Sequence, residues 1–364
     1  MQAIILAGGP QRRIRPINAD TSKFMLPFFD CPVIEHAVRL LVRQGFDDIV
    51  ISLARESTDV AEYLGDGRRF GASIRYCVEA KPLGTAGALK AIEHILEETF
   101  VVFPGDLVTD VDLLPALAFH RAHSPAATVI TAPSDDPTAH TCLRLGDSNK
   151  VVQVLVKPSA KDAVGTHVST GLVILNRHAV KRVPPFESRD IDRDVLPRLM
   201  REAEWVKAYH ADCRWADVGT VLSYKAVHFD ALEGRLKTEL SAQVVDPDIW
   251  VGERVQIDPT AEIVPPVYLG SGTVVGPRAI IGPRAVIGEN TAIEDRAVVR
   301  ASIIGRGCRI ASGSSIIGCL LGTHYCTDEE ESMFNCSAFN SANAEFSAAE
   351  METVEHITYR TMTS

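Results

Sequence analysis

From Trp250 onward the chain keeps a six-residue beat. Val251, Ile257, Ile263, Leu269, Val275, Ile281, Ile287, Ile293 and Val299 recur at one spacing, and a glycine directly follows five of them, at Gly252, Gly270, Gly276, Gly282 and Gly288. The phase then slips, and Ile304, Ile310 and Ile316 resume the same step. Neither the 3.6 period of a helix nor the 2.0 period of an ordinary strand produces this pattern. One buried aliphatic per six residues, with a turn glycine beside it, is the signature of a left-handed parallel β-helix in which three repeats make one coil. An irregular β-rich linker has no reason to hold so many positions in phase. About twelve hexapeptides give roughly four coils.

The pattern fades after Gly322. Residues 323–364 are rich in Glu, Ser, Asn and Thr, with an acidic run over 328–331, and read as a polar tail, partly disordered, with one helix over 344–354.

The first half has a different grammar. Apolar runs over 3–6, 47–53, 74–78 and 100–103 read as strands, and they alternate with helical spacing over 32–44, 58–64 and 84–97. Further strands are expected over 127–132, 151–156, 168–175 and 204–209, and a helix over 224–236. Alternation of this kind implies an α/β fold, a Rossmann-like, doubly wound, mostly parallel sheet, with ligands beyond the carboxyl ends of its strands. The expected domains are 1–228, a connector over 229–245, the β-helix over 246–322 and the tail over 323–364.

Composition narrows the function classes. The chain has 364 residues and a net charge of −10, which argues against nucleic acid or a membrane surface as a general partner. No apolar run approaches the ~20 residues of a membrane-spanning helix. The eight cysteines have no CxxC spacing, so reduced thiols and a cytoplasmic protein are expected.

Chemistry concentrates in the first thirty residues. An apolar strand runs into Gly8-Gly9, and Arg12, Arg13, Arg15 and Lys23 follow. A glycine turn after a strand leaves backbone N–H groups free to face an anion, and arginines add bidentate donors. Read alone, this is equally a tight turn with a solvated basic face. Four later segments weigh on it: Pro82-Leu83-Gly84-Thr85-Ala86-Gly87-Ala88 at the start of a helix, Pro104-Gly105-Asp106 after a strand, Lys157-Pro158, and Trp215-Ala216-Asp217-Val218-Gly219-Thr220.

Taken together, Leu6-Ala7-Gly8-Gly9 through Arg13 and Pro16, then Lys23 to Pro27 and the later segments in order, resemble the nucleoside-diphosphate-sugar pyrophosphorylases, which are sugar-1-phosphate nucleotidyltransferases. The resemblance spans roughly residues 1–322. Among family members, the Pro82–Ala88 segment followed by a β-helix is most similar to mannose-1-phosphate guanylyltransferases. The resemblance implies attack of a sugar 1-phosphate oxygen on the α-phosphorus of a nucleoside triphosphate, with GTP favoured and pyrophosphate leaving. It implies catalytic roles for Arg13 and Lys23, and nucleotide contacts from Leu6, Ala7, Gly8, Gly9, Gly84, Thr85 and Gly87. It further implies acceptor contacts from Lys157, Ser169, Gly171 and Asp106, and Mg2+ held by Asp106 and Asp217. A homo-oligomer is expected, with contacts through the β-helix.

The chain also departs from the family pattern. Gln11 and Arg12 stand where the phosphate loop usually has glycine and a hydroxyl residue. Val156 replaces the acidic residue before Lys157, and Ser169-Thr170-Gly171 replaces Asn-Ala-Gly. Fewer polar anchors on the acceptor side point away from plain mannose, toward a cyclitol phosphate such as valienol 1-phosphate and a place in antibiotic biosynthesis. The loop departures leave open an alternative, a catalytically silent regulatory paralogue that binds nucleotide sugar. An acyltransferase site in the β-helix is disfavoured, because no histidine falls between His228 and His324.

Overall fold

The apolar run after Met1 becomes the strand Gln2–Ala7, buried on both faces at Ala3, Ile4 and Ile5. The computed structural model describes residues 1–9, 21–163, 167–202, 205–240 and 242–339. Contacts divide the described residues into two units, one within 1–9, 21–25 and 33–217, the other within 26–32 and 218–339. The helix Val221–Leu232 therefore groups with the second unit.

The first unit is built on a nine-stranded sheet. Gln2–Ala7 lies parallel between Asp48–Ala54 and Thr99–Pro104, and Ser73–Glu79 adds a further parallel strand outside Asp48–Ala54. Parallel strands joined by crossovers are covered on both faces, and side chains divide accordingly. Ala3, Ile5, Ile49, Ile51, Val101 and Phe103 enter one core with Ile34, Val38 and Leu41 of the helix Val33–Arg43. Ile4, Val50, Phe100 and Val102 enter the opposite core with Leu89 and Leu196.

The other half of the sheet is antiparallel. The strand His167–Asn176 runs against both Thr99–Pro104 and Ala127–Pro133, and Val151–Val156 runs against Thr141–Leu145. Only Val206–His210 restores a parallel pairing there, with Ala127–Pro133. The carboxyl ends of the four parallel strands, at Ala7, Ala54, Glu79 and Pro104, share one edge.

In the second unit, short strands stack in three parallel sheets of seven, four and five strands, apart from an antiparallel first strand Gln243–Asp246. Each strand pairs with one eighteen residues on, as in Val267↔Ala285, and then seventeen on, as in Ala285↔Ser302, which accounts for the phase slip. The repeated aliphatics form ladders, Ile263↔Ile281↔Val299↔Ile316↔Met333 among them. Ile257 is in phase but 40% exposed, because its strand is the edge of its sheet. Pairing does not stop at Gly322. Strands Ser332–Phe334 and Ser337–Ala338 extend two of the sheets, so residues 323–339 are ordered rungs rather than tail. The expected helix over 344–354 lies outside the described residues. No helix among the described residues is long and apolar enough to cross a membrane.

Candidate active site

The site grows from the end of the opening strand. Gly105 N–H donates to the Leu6 carbonyl at 2.9 Å, which seats Gly105-Asp106 against Leu6-Ala7. Lys23, in the short helical turn Lys23–Met25, forms an ion pair with Asp106 Oδ2, and both side chains are largely buried. Asp217 ends the strand Trp215–Asp217, which runs antiparallel to Leu107–Thr109 with Asp217 opposite Leu107. This register puts Asp217 across from the residue next to Asp106, although 111 positions separate the two in the chain.

Gly171 brings the strand His167–Asn176 to the same place. Its φ is +81°, a conformation that L side chains rarely adopt, and a Cβ there would lie 2.8 Å from Pro104 Cγ. Ser169 Oγ accepts from Gly171 N–H at 3.2 Å, and Thr170 Oγ1 donates to the Ile130 carbonyl at 3.0 Å. Ser169 Oγ is thus met by its own turn, and Thr170 by the neighbouring strand Ala127–Pro133.

On the other side of the turn, Glu79 occupies the space beside Gly8. A Cβ on Gly8 would lie 2.2 Å from Glu79 Oε1. The Glu79 carboxylate is buried, accepting from Ser52 Oγ at 2.8 Å and from Leu83 N–H at 2.9 Å, so it ties the Gly8 turn to the Pro82–Ala88 segment. Gly84 and Gly87 face a protein neighbour. Cβ atoms there would meet the Arg189 carbonyl at 2.5 Å and the Glu187 carbonyl at 2.6 Å. Thr85 Oγ1 accepts from Ile191 N–H at 2.8 Å and contacts Asp190 at 3.3 Å. These three residues anchor the helix Gly84–Ala91 on residues 187–191.

A second cluster lies around Lys157, whose φ of +46° is unusual for a side-chain-bearing residue and whose N–H donates to the His140 carbonyl at 3.1 Å. The His140 ring meets Trp215 edge-on with centroids 4.7 Å apart, and Trp215 Nε1 donates to the Pro133 carbonyl at 3.1 Å. Burial pushes the His140 pKa down, and the nearby Asp217 and Asp136 carboxylates pull it partly back against Lys157. No histidine was expected in the site. His140 escapes sequence reasoning because its neighbours come from residues 157, 215 and 217. Glu79 escapes it because it lies just past the strand expected over 74–78 and carries no motif.

Leu6, Ala7, Gly8, Lys23, Asp106, Gly171 and Asp217 are linked through these contacts, with Lys157 joined by way of His140 and Trp215. Gly9 is exposed at the end of the turn. Arg13, Gln11 and Arg12 lie outside the described residues. Two carboxylates at one edge suit a hard cation that completes its shell with phosphate oxygens and water, which is how Mg2+ is usually held. Among the described residues no larger His, Cys, Asp or Glu cluster offers an all-protein metal cage.

Residues 2–234 match the family described as nucleotidyl transferase, and residues 243–348 match the GMPPB C-terminal domain. A UTP–glucose-1-phosphate uridylyltransferase from Synechocystis is 31% identical over 349 residues, covering 90% of this chain and 89% of the relative. A mannose-1-phosphate guanylyltransferase from Mycobacterium tuberculosis is 28% identical over 236 residues, 64% of this chain and 65% of the relative. A Bacillus anthracis structure assigned as a glucose-1-phosphate thymidylyltransferase superposes with a TM-score of 0.59 at 28% identity, covering 66% of this chain and 98% of that one. The chain belongs to the nucleotidyl transferase family of enzymes, with a GMPPB C-terminal domain match over residues 243–348.

Proposed function

We propose that the chain transfers a nucleotidyl group from GTP to a sugar-like 1-phosphate and releases pyrophosphate. The observation that carries the reading is the Lys23–Asp106 ion pair at the carboxyl edge of the parallel strands, with Asp217 paired opposite Leu107 on the adjoining strand. Nucleotidyl transfer needs charge neutralisation and in-line positioning more than an acid or a base. Lys23 would neutralise the α-phosphate, and Lys157 would hold the acceptor phosphate. Arg13 is proposed for the leaving phosphates. Asp106 and Asp217 would hold Mg2+, which when bound supplies Lewis-acid charge at the reacting phosphates.

Glu79 supports GTP over the pyrimidine nucleotides. A carboxylate only accepts hydrogen bonds, and its two protein donors leave lone pairs unused. Guanine presents adjacent N1–H and N2–H2 donors, whereas uracil and thymine flank one N–H with carbonyls. On the acceptor side, Val156 in place of an acidic residue and Ser169 in place of an amide support a less polar acceptor, such as valienol 1-phosphate, over mannose 1-phosphate. In the same reading the three-sheet stack is a left-handed β-helix of hexapeptide repeats that serves subunit contact in a homo-oligomer. The silent-paralogue alternative rests on Gln11 and Arg12, and the retained Lys23–Asp106 pair speaks against it.

The test is pyrophosphate release with magnesium across GTP, ATP, UTP and dTTP, each against a panel of hexose and cyclitol 1-phosphates. We expect turnover with GTP, and Glu79→Gln should shrink the GTP-over-UTP ratio by about 10-fold or more. No turnover with any pair would end the reading in favour of the silent paralogue.

A further inference from the structure

We propose that Cys319 and Cys336 form a peroxide-reactive dithiol that closes reversibly into a disulfide across the last two rungs of the strand stack. This inference is independent of the nucleotidyl-transfer reading. The two sulfurs are already in contact, with Sγ 3.5 Å from Sγ. The backbone places them there. Leu320–Leu321 pairs in parallel with Ser337–Ala338, and Leu320 N–H donates to the Cys336 carbonyl at 3.0 Å, so the cysteines occupy equivalent positions seventeen residues apart. Adjacent strands lie about 4.8 Å apart, which falls inside the Cα window of roughly 4.4–6.8 Å that a disulfide spans. Closure therefore asks for side-chain rotation rather than movement of the ladder.

The surroundings favour reaction at this pair. Lys225, from the helix Val221–Leu232, donates its Nζ to the Gly318 carbonyl at 2.5 Å and so holds a cation beside the sulfurs. The pair gives up its first proton more readily than an isolated thiol, because the partner thiol donates to the anion and Lys225 adds attraction, while burial opposes both. Loss of the second proton is correspondingly suppressed. Cys319 is fully buried, and the half-buried Cys336 beside it is where the pair opens to a small oxidant. Cys308 shows the contrast. It donates to the Gly322 carbonyl at 3.1 Å, and burial pushes its thiol up to about 12.

The chemistry balances with hydrogen peroxide as the oxidant. The Cys319 thiolate, steadied by the Cys336 thiol, attacks one peroxide oxygen, the O–O bond breaks, and hydroxide leaves with the electron pair, giving a sulfenic acid. Cys336 Sγ then attacks the Cys319 sulfur, the S–O bond breaks, and the thiol proton leaves with hydroxide as water. The sum is two thiols and one peroxide to one disulfide and two waters, with the sulfurs losing two electrons to the peroxide.

The test uses the full chain, reduced, treated with hydrogen peroxide at neutral pH, capped with N-ethylmaleimide and digested with trypsin followed by cleavage after glutamate. The acidic residues 329–331 lie between the two cysteines, so the cross-link unites fragments that are otherwise separate. Mass spectrometry should find a Cys319–Cys336 linkage that dithiothreitol removes and that Cys326→Ser leaves intact. Lys225→Met should slow its formation about 10-fold, and Lys225→Arg should keep the wild-type rate. Full alkylation of both cysteines after peroxide, a linkage through Cys326 instead, or a wild-type rate in Lys225→Met would overturn the proposal.

Discussion

At the residue scale, the site divides into side chains that announce themselves and side chains that do not. Lys23, Asp106, Lys157 and Asp217 sit in short segments whose residue types and order carry their meaning, so they were legible before any coordinates. His140 and Glu79 were not, because what distinguishes them is company assembled through space. His140 meets Trp215 edge-on and has Lys157 bound to its carbonyl. It also feels the Asp217 carboxylate. If this cluster positions the acceptor, His140→Ala should raise KM for the acceptor phosphate about 10-fold while kcat and the KM for the nucleotide move little. His140→Gln, which keeps a polar planar group, should recover part of the loss. Steady-state kinetics with each substrate varied in turn checks this, and an equal fall in kcat with both would place His140 elsewhere. The glycines teach a related lesson. Gly84 and Gly87 look like nucleotide contacts in sequence, yet their missing side chains accommodate the 187–191 backbone. A glycine motif reports a close approach without naming what approaches.

At the element scale, periodicity gave the strand stack almost whole, because one aliphatic per six residues has few other solutions. It failed at the last rungs for a physical reason. Met333 and Ala338 continue the ladders of Ile316 and Leu321, but the sequence around them is polar and the turn glycines are gone. Strand direction in the first unit was likewise illegible. An apolar run such as 168–175 fits a buried strand whichever way it points, and only the pairing shows that His167–Asn176 is antiparallel to its neighbours. This strand carries Gly171 to Pro104, and the contact is tight enough to test. Gly171→Ala forces a Cβ into Pro104 at a positive φ and should cost about 1–3 kcal/mol, seen as a lower midpoint in chemical denaturation. A midpoint equal to that of the wild type would show that the turn relaxes freely.

At the scale of the whole molecule, the chain is acidic, with 37 basic against 47 acidic residues. Its stability should also depend on buried imidazoles. His120 is buried between Thr128 Oγ1 at 2.8 Å and Asn176 Oδ1 at 3.2 Å, and burial lowers its pKa below the ordinary 6.5. Burial lowers the half-buried His140 as well. A depressed histidine pKa means that the unfolded chain binds the proton first. Stability is therefore unaffected by these groups above pH 6.5 and falls as pH drops from there toward the folded-state values. Melting temperature should decline by a few °C between about pH 7 and 5.5, and His120→Gln should flatten part of that decline; an unchanged slope in the variant would remove His120 from the account. The central claim is that Asp106 and Asp217, far apart in sequence, act as one unit in nucleotidyl transfer. It is tested most directly by kcat/KM for pyrophosphate release in the wild type, Asp106→Asn, Asp217→Asn and the double variant. The account predicts a loss of at least about 100-fold in each single variant and little further loss in the double. Near-wild-type turnover in either single variant, or fully multiplicative losses in the double, would contradict it.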